Sequence, residues 1–126
     1  MNTYSFENLE VWKKSRELVL LVYRIQSTFP SFEKYGLGDQ LRRAVVSVSS
    51  NFVEGNARYS IKEQIHFIEI ALGSLMEVYF QLTLAYDLYY ITEKQLKLCK
   101  EKIEEVHKLL KGMRYQKSKQ LSTIQS

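Results

Sequence analysis

With 126 residues, 45% hydrophobic, 25% charged and a single proline, the chain has the size of one domain and the apolar content for one core, which excludes disordered and collagen-like classes. The net charge of +4 is unevenly placed: Glu93 to Lys119 holds nine Lys or Arg against four Glu, and no acid follows Glu105. The longest apolar run, Leu18 to Tyr23, is far short of the ~20 residues of a membrane span; Cys99 has no partner for an internal disulfide, and Met1 to Glu7 lacks the features of a signal peptide, so the expected compartment is the cytoplasm.

Turn signals at Pro30 to Gly38, Gly55 to Ser60 and Tyr90 to Thr92 divide the chain into four segments, each long enough for five or more helical turns. The first carries Leu18, Val22, Ile25 and Phe29 at helical spacing, and the second Leu37, Leu41, Ala44 or Val45, Val48 and Phe52. The third opens on a capping box, Ser60 to Glu63, and runs an apolar line through Ile61, Ile65, Ile68, Leu72, Leu75, Tyr79, Leu82, Tyr86 and Tyr89. The fourth opens on a second box, Thr92 to Gln95, and continues through Leu96, Cys99, Ile103, Val106, Leu110 and Met113. No stretch sustains a period of two. Four amphipathic helices with short connections predict an all-α, antiparallel up-down-up-down four-helix bundle over residues 1–115, followed by a polar, disordered tail over 116–126.

The third segment is apolar on a second side. Phe67, Ala71, Val78 and Ala85 are read as lying well around the helix from the core line, and are assigned to an interface between copies of the chain.

Several blocks resemble the 23S rRNA-intervening-sequence protein family, also called four helix bundle proteins: Phe6-Glu7-Asn8-Leu9-Glu10-Val11-Trp12, Tyr35-Gly36-Leu37 continuing to Gln40-Leu41-Arg42-Arg43-Ala44, Ser50-Asn51-Phe52-Val53-Glu54-Gly55 and Ile70-Ala71-Leu72-Gly73-Ser74-Leu75. The resemblance covers roughly residues 6–112 and implies a bacterial protein, a four-helix bundle and a ring-like homopentamer; a related group serves as accessory protein to reverse transcriptases. This chain departs from the pattern in having Ser49 where many relatives have proline, which implies a straighter second helix.

Candidate chemistry is thin. The pair Glu63-x-x-His66 and Glu104-x-x-His107 has the spacing of di-iron bundles, but helix phase turns three of the four residues outward, so no metal or cofactor is expected. Cys99 reads as a buried structural thiol, and Gly36-x-Gly38 lacks the strand that a dinucleotide fingerprint requires. Arg42, Arg43, Asn51, Glu54 and Glu77 are assigned structural roles, with an Arg42 to Glu77 ion pair between helices or subunits, and Gly73 and Ser74 are read as letting a neighbouring helix come close. Glu104 with Lys108, and Lys97 with Glu101, are spaced for i to i+4 pairs. Beyond them Lys108, Lys111, Arg114, Tyr115, Lys117 and Lys119 form an uncompensated basic end with an aromatic for stacking. The chain therefore reads as a non-catalytic, self-assembling binding protein whose partner is RNA or DNA, with an adaptor for a larger nucleic-acid enzyme as the alternative.

Overall fold

The computed structural model describes residues 4–125 and contains, within them, four α-helices and no strand: α1 (Glu10–Gln26), α2 (Leu37–Asn56), α3 (Ile61–Asp87) and α4 (Glu93–Gln125). Short 3-10 turns at Ser5–Asn8 and Ser31–Glu33 precede α1 and α2. Contacts across the seams give the helix directions. Ser49 of α2 reaches Ser15 in mid-α1, while Arg42 near the start of α2 reaches Gln26 at the end of α1. Ser47 bonds Ser74, and Gly55 sits against Phe67, so α2 and α3 are antiparallel too. Gln64 meets Lys117 and Tyr79 meets Lys100 across α3 and α4, and Glu105 and Lys102 of α4 reach Lys14 and Glu17 of α1. Each helix thus packs on two antiparallel neighbours around one core.

Local chemistry sets the helix starts. Ser60 Oγ accepts the Glu63 backbone N–H at 3.3 Å, and at Thr92 both halves of the box form, Gln95 N–H to Thr92 Oγ1 at 3.1 Å and Thr92 N–H to Gln95 Oε1 at 2.9 Å. The start of α2 is held from outside: Glu33 Oε1 accepts from Leu37 N–H at 3.1 Å, and its other oxygen accepts from the Tyr90 hydroxyl at 2.8 Å. One carboxylate therefore ties the α1–α2 connection to the turn between α3 and α4. That hydrogen bond, together with desolvation, holds the Tyr90 phenol above its ordinary pKa.

The core is built on Leu18, Leu41, Leu75, Leu82 and Leu110, all fully buried, each contributing about 1.5–3 kcal/mol by removal from water. Ala71, Val78 and Ala85 are also fully buried in this same core, which corrects their assignment to an interface between copies; Phe67 is half-buried against Gly55. At about 100° per residue these positions stand only about 30–70° from the line through Leu75 and Leu82, on the flank that faces α2. Small side chains are used there because α2 comes close: a Cβ on Gly55 would lie 2.6 Å from Phe67 Cβ.

A second correction concerns the C-terminal segment. Helix α4 runs 33 residues to Gln125, through the stretch read as a disordered tail. No proline interrupts it, Lys117 anchors it to Gln64 at the first turn of α3, and Leu121 is still half-buried. Helix α2 is likewise continuous through Ser49, whose hydroxyl donates to Ser15 Oγ at 3.0 Å, a bond that proline could not make.

Candidate functional site

The outward face of α4 is defined by its inward one. Cys99, Ile103, Val106 and Leu110 are buried at spacings of three and four, so side chains half a turn away must point out. Lys108, Lys111, Tyr115 and Lys119 fall there together within about 80° of arc, all exposed. Lys119 Nζ lies 5.3 Å from the Tyr115 ring centroid, so cation and ring form one unit. Gly112 sits on the same face, and a Cβ added to it would meet nothing within 4 Å. No contact within the chain accounts for a helix-interior glycine at this position, which costs about 1 kcal/mol relative to alanine.

Two of the expected residues do not join this group. Lys117 points to the core side and donates to Gln64 Oε1 at 2.9 Å, and Arg114 is half-buried, about 60° beyond Lys111 at the edge of this face and about 100° or more from Tyr115, Lys108 and Lys119. The expected pairs Glu104 to Lys108 and Lys97 to Glu101 are not among the ion pairs of the described residues. The acids engaged at the α1–α4 seam are instead Glu105, 3.3 Å from Lys14, and Glu17, 3.1 Å from Lys102 and 3.6 Å from Lys14. The hydrogen bond and charge of Glu105 raise the Lys14 pKa, and the hydrogen bond from Lys102 lowers that of Glu17. Cross-helix pairing thus draws Glu105 away from the basic face.

The polar residues of α2 act locally. Arg42 donates to Gln26 and to the Lys34 carbonyl at 2.9 Å, with Asp39 at 3.8 Å, which corrects its expected pairing with Glu77. It is held by the connection one helix earlier, and Glu77 is exposed on the outer side of α3. Asn51 donates to Ser47 O and Oγ at 2.8 and 2.9 Å, and Ser47 in turn bonds Ser74, so this cluster sets the register of α2 on α3. Arg43 pairs with Asp39 and Glu54 with Arg58, each within α2 or its end and in solvent.

Among the described residues the nucleophile and metal-ligand candidates stand apart. The Cys99 thiol is fully buried, and desolvation pushes its pKa up to about 11, so thiolate is scarce at neutral pH. His66 is exposed, with its ring edge-on to Phe67 at 5.7 Å. Among the described residues no group of three or more His, Cys, Asp or Glu is placed to hold a metal ion.

Sequence reasoning missed the site on α3. The helix does have a second apolar side, formed by Ile70, Met76, Phe80, Leu84 and Leu88, with Phe80 64% exposed and Gly73 open to solvent. By length and composition α3 is apolar enough to cross a membrane, and only 33% of its most apolar 18-residue window is buried. The signal was present as Ile70, Phe80 and Leu84 at helical spacing.

Residues 7–112 match the 23S rRNA-intervening sequence protein family. The crystal structure at 1.70 Å of a protein of unknown function from the S23 ribosomal protein family of Bacteroides thetaiotaomicron VPI-5482 has the same fold, with a TM-score of 0.77 and 24% identity over 83% of this chain and 95% of that one. No curated protein matches the chain. Of the outward basic face, Lys108 and Lys111 lie inside the matched stretch, and Tyr115 and Lys119 lie beyond it.

Proposed function

Since the chain belongs to the 23S rRNA-intervening sequence protein family, we propose that it is a non-catalytic, self-assembling protein that binds nucleic acid through the outward face of the last turns of α4. The observation that carries this reading is the convergence of Lys108, Lys111, Tyr115 and Lys119 on one exposed face with no acid after Glu105. Lysines at this spacing neutralise phosphates, Tyr115 offers a ring for base stacking, and Gly112 leaves room for a backbone to come close. Assembly multiplies the effect. In a closed ring, five copies being the number that the resemblance implies, weak contacts from each α4 act together.

The test is fluorescence anisotropy with single-stranded RNA, structured RNA and duplex DNA. Three lysines on phosphates of a duplex predict about a 40-fold loss of affinity per engaged chain between about 50 and 200 mM salt, from a slope near −0.9 per phosphate. Replacing Lys108, Lys111 and Lys119 by Gln removes most of that slope, and Tyr115→Ala weakens single-stranded binding most. Lys117→Gln is the control and leaves binding unchanged, because that lysine is engaged with Gln64. Absence of binding at the lower salt, or binding indifferent to the three substitutions, overturns the reading and favours the adaptor role.

A further inference from the structure

The outer side of α3 is a ridge. Ile70, Met76, Phe80 and Leu84 stand out along it, and the ridge from Ile70 to Leu84 is about 21 Å long at 1.5 Å per residue. Its charges are of one sign. From Glu63 to Glu93 the sequence has no Lys or Arg, and Glu69, Glu77 and Asp87 are exposed with no ion pair among the described residues. Such acids along the ridge argue against a lipid surface, where each would have to be desolvated.

The same molecule carries a surface of the opposite form. Between α1 and α2 runs an open groove of about 450 Å³ lined by Trp12, Val19, Val46 and Val53 together with Arg16 and Glu54, whose carboxylate is paired with Arg58, and with exposed Leu20 and Tyr23 beside it. Its α1 lining runs from Trp12 to Val19, about 11 Å, and the adjoining depression, which shares Val46 and Ser50 with it, carries the surface on to Tyr23 at about 16 Å. Arg16 lies in the groove, exposed and without an ion pair among the described residues.

We propose that the α3 ridge of one copy seats in the α1–α2 groove of a second copy of this chain. Three observations favour a second copy as the occupant: apolar ridge against apolar groove, unpaired acids on the ridge against the unpaired Arg16 in the groove, and comparable length. Gly73 adds a fourth. It lies at the middle of α3 on the outer side, a Cβ there would meet nothing within 4 Å, and no contact within the chain accounts for a glycine in that place. Close approach of a second backbone supplies the reason. Because ridge and groove are different surfaces, the contact is head-to-tail, and each copy keeps one free groove and one free ridge until the assembly closes on itself. The proposal rests on the reading that the chain self-assembles and names the two surfaces that do it.

The test is size exclusion with light scattering on the wild type, Gly73→Leu, Val46→Glu and an equal mixture of the two variants, with circular dichroism to confirm that each is folded. Gly73→Leu fills open solvent and Val46 is exposed, so both variants keep the fold. The wild type is expected at several times 14.9 kDa and each variant alone at 14.9 kDa. The mixture is expected at twice that mass, because one intact groove and one intact ridge make a single joint that cannot propagate. A mixture that stays monomeric, or a variant that assembles like the wild type, overturns the pairing while leaving self-assembly standing. A monomeric wild type overturns both, and leaves the ridge to a different protein.

Discussion

The two long faces of α3 are both apolar and do different work. Toward α2 and α4 the helix presents Ile68, Ala71, Leu75, Val78, Leu82 and Ala85, buried and sized to the space between helices. Away from them it presents Ile70, Met76, Phe80 and Leu84, of similar hydrophobicity but exposed and interrupted by Glu69, Glu77 and Gly73. Apolar content therefore does not identify the core side of this helix. What distinguishes the faces is residue size against the neighbour's distance, and whether acids are interleaved.

The sharpest way to break that distinction is to truncate one leucine on each face. Leu82 is fully buried, so Leu82→Ala removes its transfer free energy and leaves a cavity, at a cost of about 2–5 kcal/mol. Leu84, two residues on and at the edge of exposure, should cost the fold about 0.5 kcal/mol or less when replaced by Ala. Urea denaturation at several protein concentrations separates the two. Leu82→Ala lowers the midpoint at every concentration, and Leu84→Ala lowers it only where copies associate. Equal losses at high dilution would mean that the outer face belongs to the core after all.

Glycines give a second, smaller contrast. At Gly55, on the α2 side of the inner face, a Cβ would collide with Phe67 Cβ at 2.6 Å, and neither atom is the free end of a side chain. Gly55→Ala should therefore destabilise by about 1–3 kcal/mol as the helices are forced apart. At Gly73 the added methyl meets open space, so Gly73→Ala should stabilise the dilute, unassociated chain by about 0.5–1 kcal/mol through helix propensity. Thermal melts of both variants at low concentration give the signs. A loss at Gly73 as large as at Gly55 would refute the view that nothing in the chain covers the ridge.

Much of the architecture was legible in the residues because its signals are local. The Thr92 and Gln95 box forms as its spacing implies, and Ser60 caps α3. The phase of α3 was misread because large residues were given more weight than small ones. Tyr86 and Tyr89, read as core, are exposed near the end of the helix, while Ala71 and Ala85, read as outer, are fully buried. Glu33 escaped notice for another reason: its partner Tyr90 is 57 positions away and no local pattern links them. The basic end was legible as charge but not as geometry, since Lys117 differs from Lys119 only in which side of the helix it occupies. Polarity of the last residues suggested a tail, yet polar residues free of proline continue a helix that is anchored at its start.

The smallest expected effect lies where α3 stops. Tyr89 has φ of 64°, and two turn bonds accompany it: Tyr90 N–H reaches Ala85 O at 2.8 Å and Tyr89 N–H reaches Tyr86 O at 3.0 Å, the pair of bonds that closes a helix through a left-handed residue. That position usually belongs to glycine, because a Cβ there crowds the following carbonyl at a cost of about 1–2 kcal/mol. The Tyr89 ring is 94% exposed, so its removal gives up almost no packing in the chain. Glycine also loses more backbone freedom on folding, which offsets part of the gain. Tyr89→Gly should then raise stability by about 1 kcal/mol or less, a shift of a few degrees in Tm for a domain of this size. A lower Tm in the dilute chain would mean that the ring makes a stabilising contact. A gain in dilute solution that turns into a loss on association would extend the assembly surface past Leu88 to the end of the helix.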